Sequence, residues 1–221
     1  MRTAGVDGCK GGWIAVVIDE DRPGTPLVLK GADEIAALGA ERILIDIPIG
    51  LPETGRRSSD IAARKLLREA WPRLFVDVRR PLLAFADYGA ANAWAKEDGN
   101  GISRQLWNIL PKIAAVDRSI APAMQDRILE AHPELAFARM HGGMPVREGK
   151  KTRAGFSIRA ELLRQAGFTE LKTWVAGLRG SGAGADDLLD ACALALAARN
   201  PVRVKCNEET DARGLSMDIW Y

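Results

Sequence analysis

Four carboxylates stand in apolar surroundings. Asp7 follows Ala4-Gly5-Val6, and Asp46 lies inside Ile43-Leu44-Ile45-Asp46-Ile47. Asp187 and Asp190 are three apart in Ala185-Asp186-Asp187-Leu188-Leu189-Asp190-Ala191, a spacing that places both on one helical face. A carboxylate in a buried strand is costly unless it is paired or binds a cation. Like charges on one helix face repel, so a shared cation is a physical reason to place them there. Magnesium and manganese prefer oxygen ligands. Two such ions about 3.5–4 Å apart activate a water and stabilise the leaving oxygen in phosphodiester cleavage. Each aspartate also has an ordinary use. Asp7 before Gly8 can form a turn, Asp46 can cap the loop before Pro48, and Asp186 and Asp187 suit a helix start. Asp190 lies a turn further in and is harder to dismiss.

A second cluster is Glu130-Ala131-His132-Pro133-Glu134. On a strand, Glu130 and His132 share a face, and Glu130 or Glu134 can add a metal ligand or orient one. Lys10, close after Asp7, is a candidate phosphate contact. Basic residues gather at Arg56-Arg57, at Arg64-Lys65 with Arg68, at Arg79-Arg80 and at Lys150-Lys151 with Arg153, where they either meet phosphates or form solvated faces. Gly180-Ser181-Gly182-Ala183-Gly184 lacks the lysine and hydroxyl of a phosphate loop and reads as a hinge. Trp71, Trp94, Trp107, Trp174 and Trp220 fall on amphipathic elements and read as core.

The elements that must position these groups follow from periodicity. Residues 3–9 and 13–18 read as a hairpin about Gly11-Gly12, with a third strand near 26–29. The continuous apolar run at 42–47 suits a strand covered on both faces, as in parallel pairing. Helical patterns start at Ser59-Asp60, at Ala90 and at Ser103. Residues 127–131 read as a strand ended by Pro133, and 148–153 as a mobile polar loop. Helices are expected at 157–165, 169–178 and 185–199, and a final strand at 215–221. The expected architecture is α/β, a mixed sheet flanked by helices in a single domain over 1–221, with 52–124 a mostly helical insertion.

Composition narrows the classes. The 221 residues are 47% hydrophobic and 27% charged, which is globular rather than disordered. A net charge of +2 argues against indiscriminate binding of nucleic acid, though not against a local basic groove. Three dispersed cysteines and two histidines leave no zinc-finger set. The odd cysteine count and the lack of a signal peptide lead to an expectation of a reducing cytoplasm, and no apolar run is long enough to span a bilayer. Oligomeric state is not legible.

Several motifs together resemble the domain-of-unknown-function family numbered 429. They are Gly5-Val6-Asp7-Gly8-Cys9-Lys10-Gly11-Gly12-Trp13, Ile45-Asp46-Ile47-Pro48-Ile49-Gly50-Leu51-Pro52, Gly55-Arg56-Arg57 with Asp60, Glu130-Ala131-His132-Pro133-Glu134, Asp186-Asp187-Leu188-Leu189-Asp190-Ala191 and Met217-Asp218-Ile219-Trp220-Tyr221. Ser59 departs from the cysteine expected there. The resemblance implies a nuclease with a ribonuclease H-like fold, a five-stranded mixed sheet with three antiparallel strands followed by parallel ones. The late Asp-x-x-Asp-Ala helix is also similar to the last helix of Holliday-junction resolvases. By that resemblance Asp7, Asp46, Asp187 and Asp190 would hold Mg2+ or Mn2+, with Lys10, Glu130, His132 and Glu134 around them and DNA or RNA as partner. The rivals are a non-catalytic scaffold with a remnant acidic cluster, and an actin-like phosphotransferase or ATPase. The latter normally duplicates the fold and carries glycine-rich phosphate loops.

Overall fold

The computed structural model describes every residue except 75 and 76, and only the backbone of 71–73. The core role expected of Trp71 therefore lies outside the described residues. The chain forms a mixed six-stranded sheet with helices on both faces. Strand β1 (Thr3–Cys9) pairs antiparallel with β2 (Gly12–Asp19), and β2 pairs on its other edge with β3 (Arg22–Pro23) and β4 (Leu27–Leu29). On the far side of β1, strands β5 (Arg42–Ile45) and β6 (Ile128–Glu130) run parallel to it. The expected third strand is β4, and the sixth strand is β3, a two-residue piece ahead of it. Pro23 and Pro26 have no N–H for a ladder, so the segment pairs with β2 in two short pieces around Gly24.

Alternation along β1 divides the interior. Ala4 and Val6 join Ile43 and Ile45 on one face. That face is covered by α1 (Asp33–Ala36), which contributes Ile35, and by the segment after β5, through α3 (Tyr88–Glu97) and α4 (Arg104–Ser119), whose Ala91, Ala95, Leu106, Leu110 and Ile113 share its core. The insertion and the sheet thus bury one another. On the other face Ile14, Val16 and Leu44 meet α8 (Ala185–Ala197), together with α6 (Arg153–Gln165) and α7 (Leu171–Gly177).

Gly5 sets the closeness of that second layer. A Cβ there would lie 2.1 Å from both Ala191 O and Ala195 N, so α8 rests directly on β1. Thr3 Oγ1 donates to Ala195 O at 3.1 Å, which fixes the helix antiparallel to the strand. Its first turns therefore end beside Asp7.

Several boundaries depart from expectation. The helix at 133–140, α5 (Pro133–Met140), was not anticipated. Pro133 opens it rather than ending the strand, because proline at a first helical position loses no bond. The helix α2 (Ser58–Leu67) has Arg57 at its cap position. Ser59 and Asp60 are buried within α2, where Asp60 binds Arg57 instead of capping. Residues 215–221 form isolated bridges rather than a strand: Ser216 pairs with Thr210, and Trp220 with Arg203 and with Ala131 past the end of β6. The glycine-rich run before α8 is not a free hinge: Gly11 N donates to Gly182 O, and a Cβ at Gly182 would come within 2.7 Å of Gly11. Of the expected core tryptophans Trp174 is buried, and Trp94, Trp107 and Trp220 are half-buried against core residues.

Candidate functional site

A cleft of about 420 Å³ opens at the carboxyl ends of β1 and β5, the side on which α/β sheets usually bind ligands. Asp7, Asp46, Asp187 and Asp190 all line it. Their convergence follows from register. Val6 pairs with Ile45, and the ladder continues with Asp46 N donating to Val6 O at 3.0 Å. Asp46 is therefore the in-register neighbour of Asp7, and in-register residues of parallel strands point to the same face. That is the face on which Gly5 admits α8, so Asp187 and Asp190 complete the group.

The environment is strongly perturbed. Asp7 is 6% exposed and Asp190 2%. Burial, reinforced by repulsion from Asp46 and Asp190, lifts the Asp7 carboxyl well above its ordinary range. Burial pushes Asp46 and Asp190 up to about 7, although a nearby Lys150 ammonium pulls both back. Asp187 is raised by burial as well, partly offset because its Oδ2 accepts from Gly184 N at 2.8 Å. Asp187 therefore also does the helix-end work anticipated for it. Asp7 Oδ1 likewise accepts from Gly8 N, at 2.7 Å. Asp190 Oδ1 is buried with no hydrogen-bond partner, while its Oδ2 accepts from Lys150 Nζ.

The other anticipated residues divide. His132 and Glu134 line the cleft, but as framework. His132 caps α5, its Nδ1 accepting from Glu134 N at 3.2 Å, so it does not extend a strand face shared with Glu130. Both Glu134 oxygens accept from Arg159 Nη2, at 2.9 and 2.8 Å, and that pair is buried. Glu130 is not among the residues lining the cleft. Its carboxylate takes Arg57 at 2.6 and 2.8 Å and Ile49 N at 2.6 Å, so it braces the segment after β5. Lys10 is exposed in the hairpin turn between β1 and β2 and lines a separate surface depression with 179–183.

Sequence reasoning missed three contributors. Lys150 was noted only as part of a basic run, yet its Nζ lies among the aspartates. Lys112, on α4, borders the cleft with Nζ 4.7 Å from the Trp13 ring centre and donates to Gly12 O at 2.5 Å. Arg159 carried a readable signal: with Gly155 and Leu163 it forms the buried i, i+4 stripe of α6, where arginine is out of place without a partner.

The donors present are hard oxygens, and the orphaned Asp190 Oδ1 is one of them, which suits a magnesium- or manganese-type ion. Among the described residues no three His, Cys, Asp or Glu groups are already gathered as a metal cage. With Lys150 against Asp190, the cluster is compensated by an ammonium. No helix among the described residues is long and apolar enough to cross a membrane.

The family model of proteins of unknown function, DUF429, matches residues 5–210. The chain belongs to that family. The match takes in all four aspartates and every helix and strand apart from the first residues of β1. No curated protein and no solved structure matches significantly.

Proposed function

We propose that this DUF429 protein is a divalent-metal-dependent phosphodiester hydrolase acting on nucleic acid, built on a ribonuclease H-like sheet. The observation that carries the reading is the convergence of Asp7, Asp46, Asp187 and Asp190, from two adjacent parallel strand ends and one helix, in a single cleft. The sheet order supports the fold assignment: an antiparallel set led by β1, then two parallel strands, with one carboxylate on β1 and one at the end of its parallel neighbour.

Asp7, Asp46 and Asp190 would be the principal ligands, with the free oxygen of Asp187 as a fourth donor. Bound divalent ions would supply an activated water and charge stabilisation at the leaving oxygen. The protein's own part is to hold the acids in register and to fix Glu134 through Arg159. Lys112 and Lys151 border the same cleft and give a phosphate a positive approach.

The test is cleavage of a mixed panel of single-stranded, duplex, branched and RNA–DNA hybrid substrates with magnesium or manganese. Cleavage should require the metal and vanish in Asp7→Asn. Cleavage that persists in purified Asp7→Asn overturns the assignment. A second reading, a scaffold retaining a remnant cluster, is favoured by the Lys150–Asp190 ion pair, which neutralises part of the cluster without metal. It predicts no cleavage and no carboxylate-dependent manganese binding.

A further inference from the structure

The ammonium of Lys150 already lies where a cation is wanted. Its Nζ contacts Asp190 Oδ2, and burial, which by itself would discharge it, is outweighed by Asp190, Asp7 and Asp46. The compensation is incomplete, since Asp190 Oδ1 stays buried without a partner. A monovalent ammonium places its three donors at one point, whereas four carboxyl groups line the cleft.

The backbone around Lys150 is fixed on both sides. Arg159 Nη1 donates to Glu148 O at 3.0 Å, and Thr152 N and Oγ1 donate to Gly149 O at 2.9 and 2.8 Å. Helix α6 presses on this segment so closely that a Cβ at Gly155 would lie 2.2 Å from Gly149 O. The side chain is different: it is a third exposed and has a flexible four-carbon stem with a route to solvent.

We propose that Lys150 is a built-in competitor for the divalent cation: its ammonium and the metal exchange at Asp190, the lysine side chain swinging out while residues 148–152 stay in place. This rests on the metal-dependent reading above. A divalent ion and an ammonium on one carboxylate repel, so only one is held at a time. Lys150 thereby acts as a positioning residue that keeps the metal-free cleft from collapsing or repelling itself open, and it sets the metal concentration at which the site loads.

The test is calorimetric titration of manganese into wild type, Lys150→Met and Lys150→Arg, each checked for folding by circular dichroism. Methionine keeps most of the stem and removes the charge. The expected result is a Kd at least about tenfold lower in Lys150→Met, with Lys150→Arg no tighter than wild type. Equal or weaker affinity in Lys150→Met, with wild type binding normally, overturns the exchange and leaves the metal reading standing. Absence of manganese binding in both folded proteins overturns both. Should Lys150→Met fail to fold, wild type decides: acetylation of Lys150 by an amine-directed reagent, followed by mass spectrometry, should rise several-fold with manganese in wild type but not in Asp190→Asn. An unchanged rate in wild type refutes the swing.

Discussion

The metal-free protein should lose stability as pH rises from about 5.5 to about 7.5, the reverse of ordinary acid denaturation. Asp190 is 2% exposed and its carboxyl is pushed up to about 7, from an ordinary value of 3.8. Between these two values the folded state holds a proton that the unfolded chain has released. The folded state therefore binds more protons, and stability falls with increasing pH across that window. For one such carboxyl the linkage integral between about pH 5.5 and 7.5 is about 2 kcal/mol. Asp46 is raised to the same region. Because the two acids share Lys150 they titrate as a set, so the combined effect should fall between about 2 and 4 kcal/mol. Urea unfolding in EDTA at the two pH values measures it. Asp190→Asn, nearly isosteric, should flatten the dependence and be more stable than wild type at the higher pH. If wild type and Asp190→Asn show the same pH dependence, the buried-acid account of this cleft is wrong.

Manganese at about a hundred times its dissociation constant should stabilise wild type by roughly 2.7 kcal/mol, seen as a higher Tm. Asp190→Asn should lose most of that shift, and an undiminished shift would locate the ion elsewhere. Asp7→Asn should abolish cleavage while leaving the far-ultraviolet circular dichroism unchanged, and EDTA should produce the same loss in wild type. Arg159→Leu should destabilise the fold by about 3–5 kcal/mol, because it removes the guanidinium that holds both oxygens of the buried Glu134 carboxylate and releases Glu148 O. A variant within about 0.5 kcal/mol of wild type in urea unfolding would show that this pair is not the brace it is taken for.

What could be read from the sequence was what local periodicity encodes. β1 and β5 stand out because burial on both faces leaves nearly unbroken apolar runs, and the aspartates stand out against them. α8 is long and apolar enough to announce itself. α5 was obscured because Pro133 both follows a strand and begins a helix, and only the tertiary context chooses. Glu130 looked as promising as Asp46, since its partner Arg57 is 73 residues away and no local pattern links them. Lys10 is close to Asp7 in sequence, but the hairpin turn carries it to a different surface. Lys150 reaches the cleft only through the packing of 148–152 on α6, which a polar loop sequence does not reveal.

The buried acids of this chain fall into two chemically distinct groups, and the division separates framework from candidate site. Asp60, Glu130 and Glu134 are each held by a buried arginine, Asp60 and Glu130 by Arg57 and Glu134 by Arg159. A guanidinium is planar, permanently charged and matched to a carboxylate fork, so these pairs are fixed and have little capacity left for another cation. Asp7, Asp46 and Asp190 are different. Among the described residues lining their cleft the cations are Lys112, Lys150 and Lys151, with no arginine. Lysine offers a single point charge on a mobile stem, and only Asp190 takes it in direct contact. The two arginine clusters elsewhere, Arg57 with Asp60 and Glu130 and Arg159 with Glu134, show that this fold can neutralise buried carboxylates permanently. Where it leaves adjacent acids with only a lysine ammonium, burial and mutual repulsion hold their carboxyls above the ordinary range, and that uncompensated set is what the proposed metal site rests on.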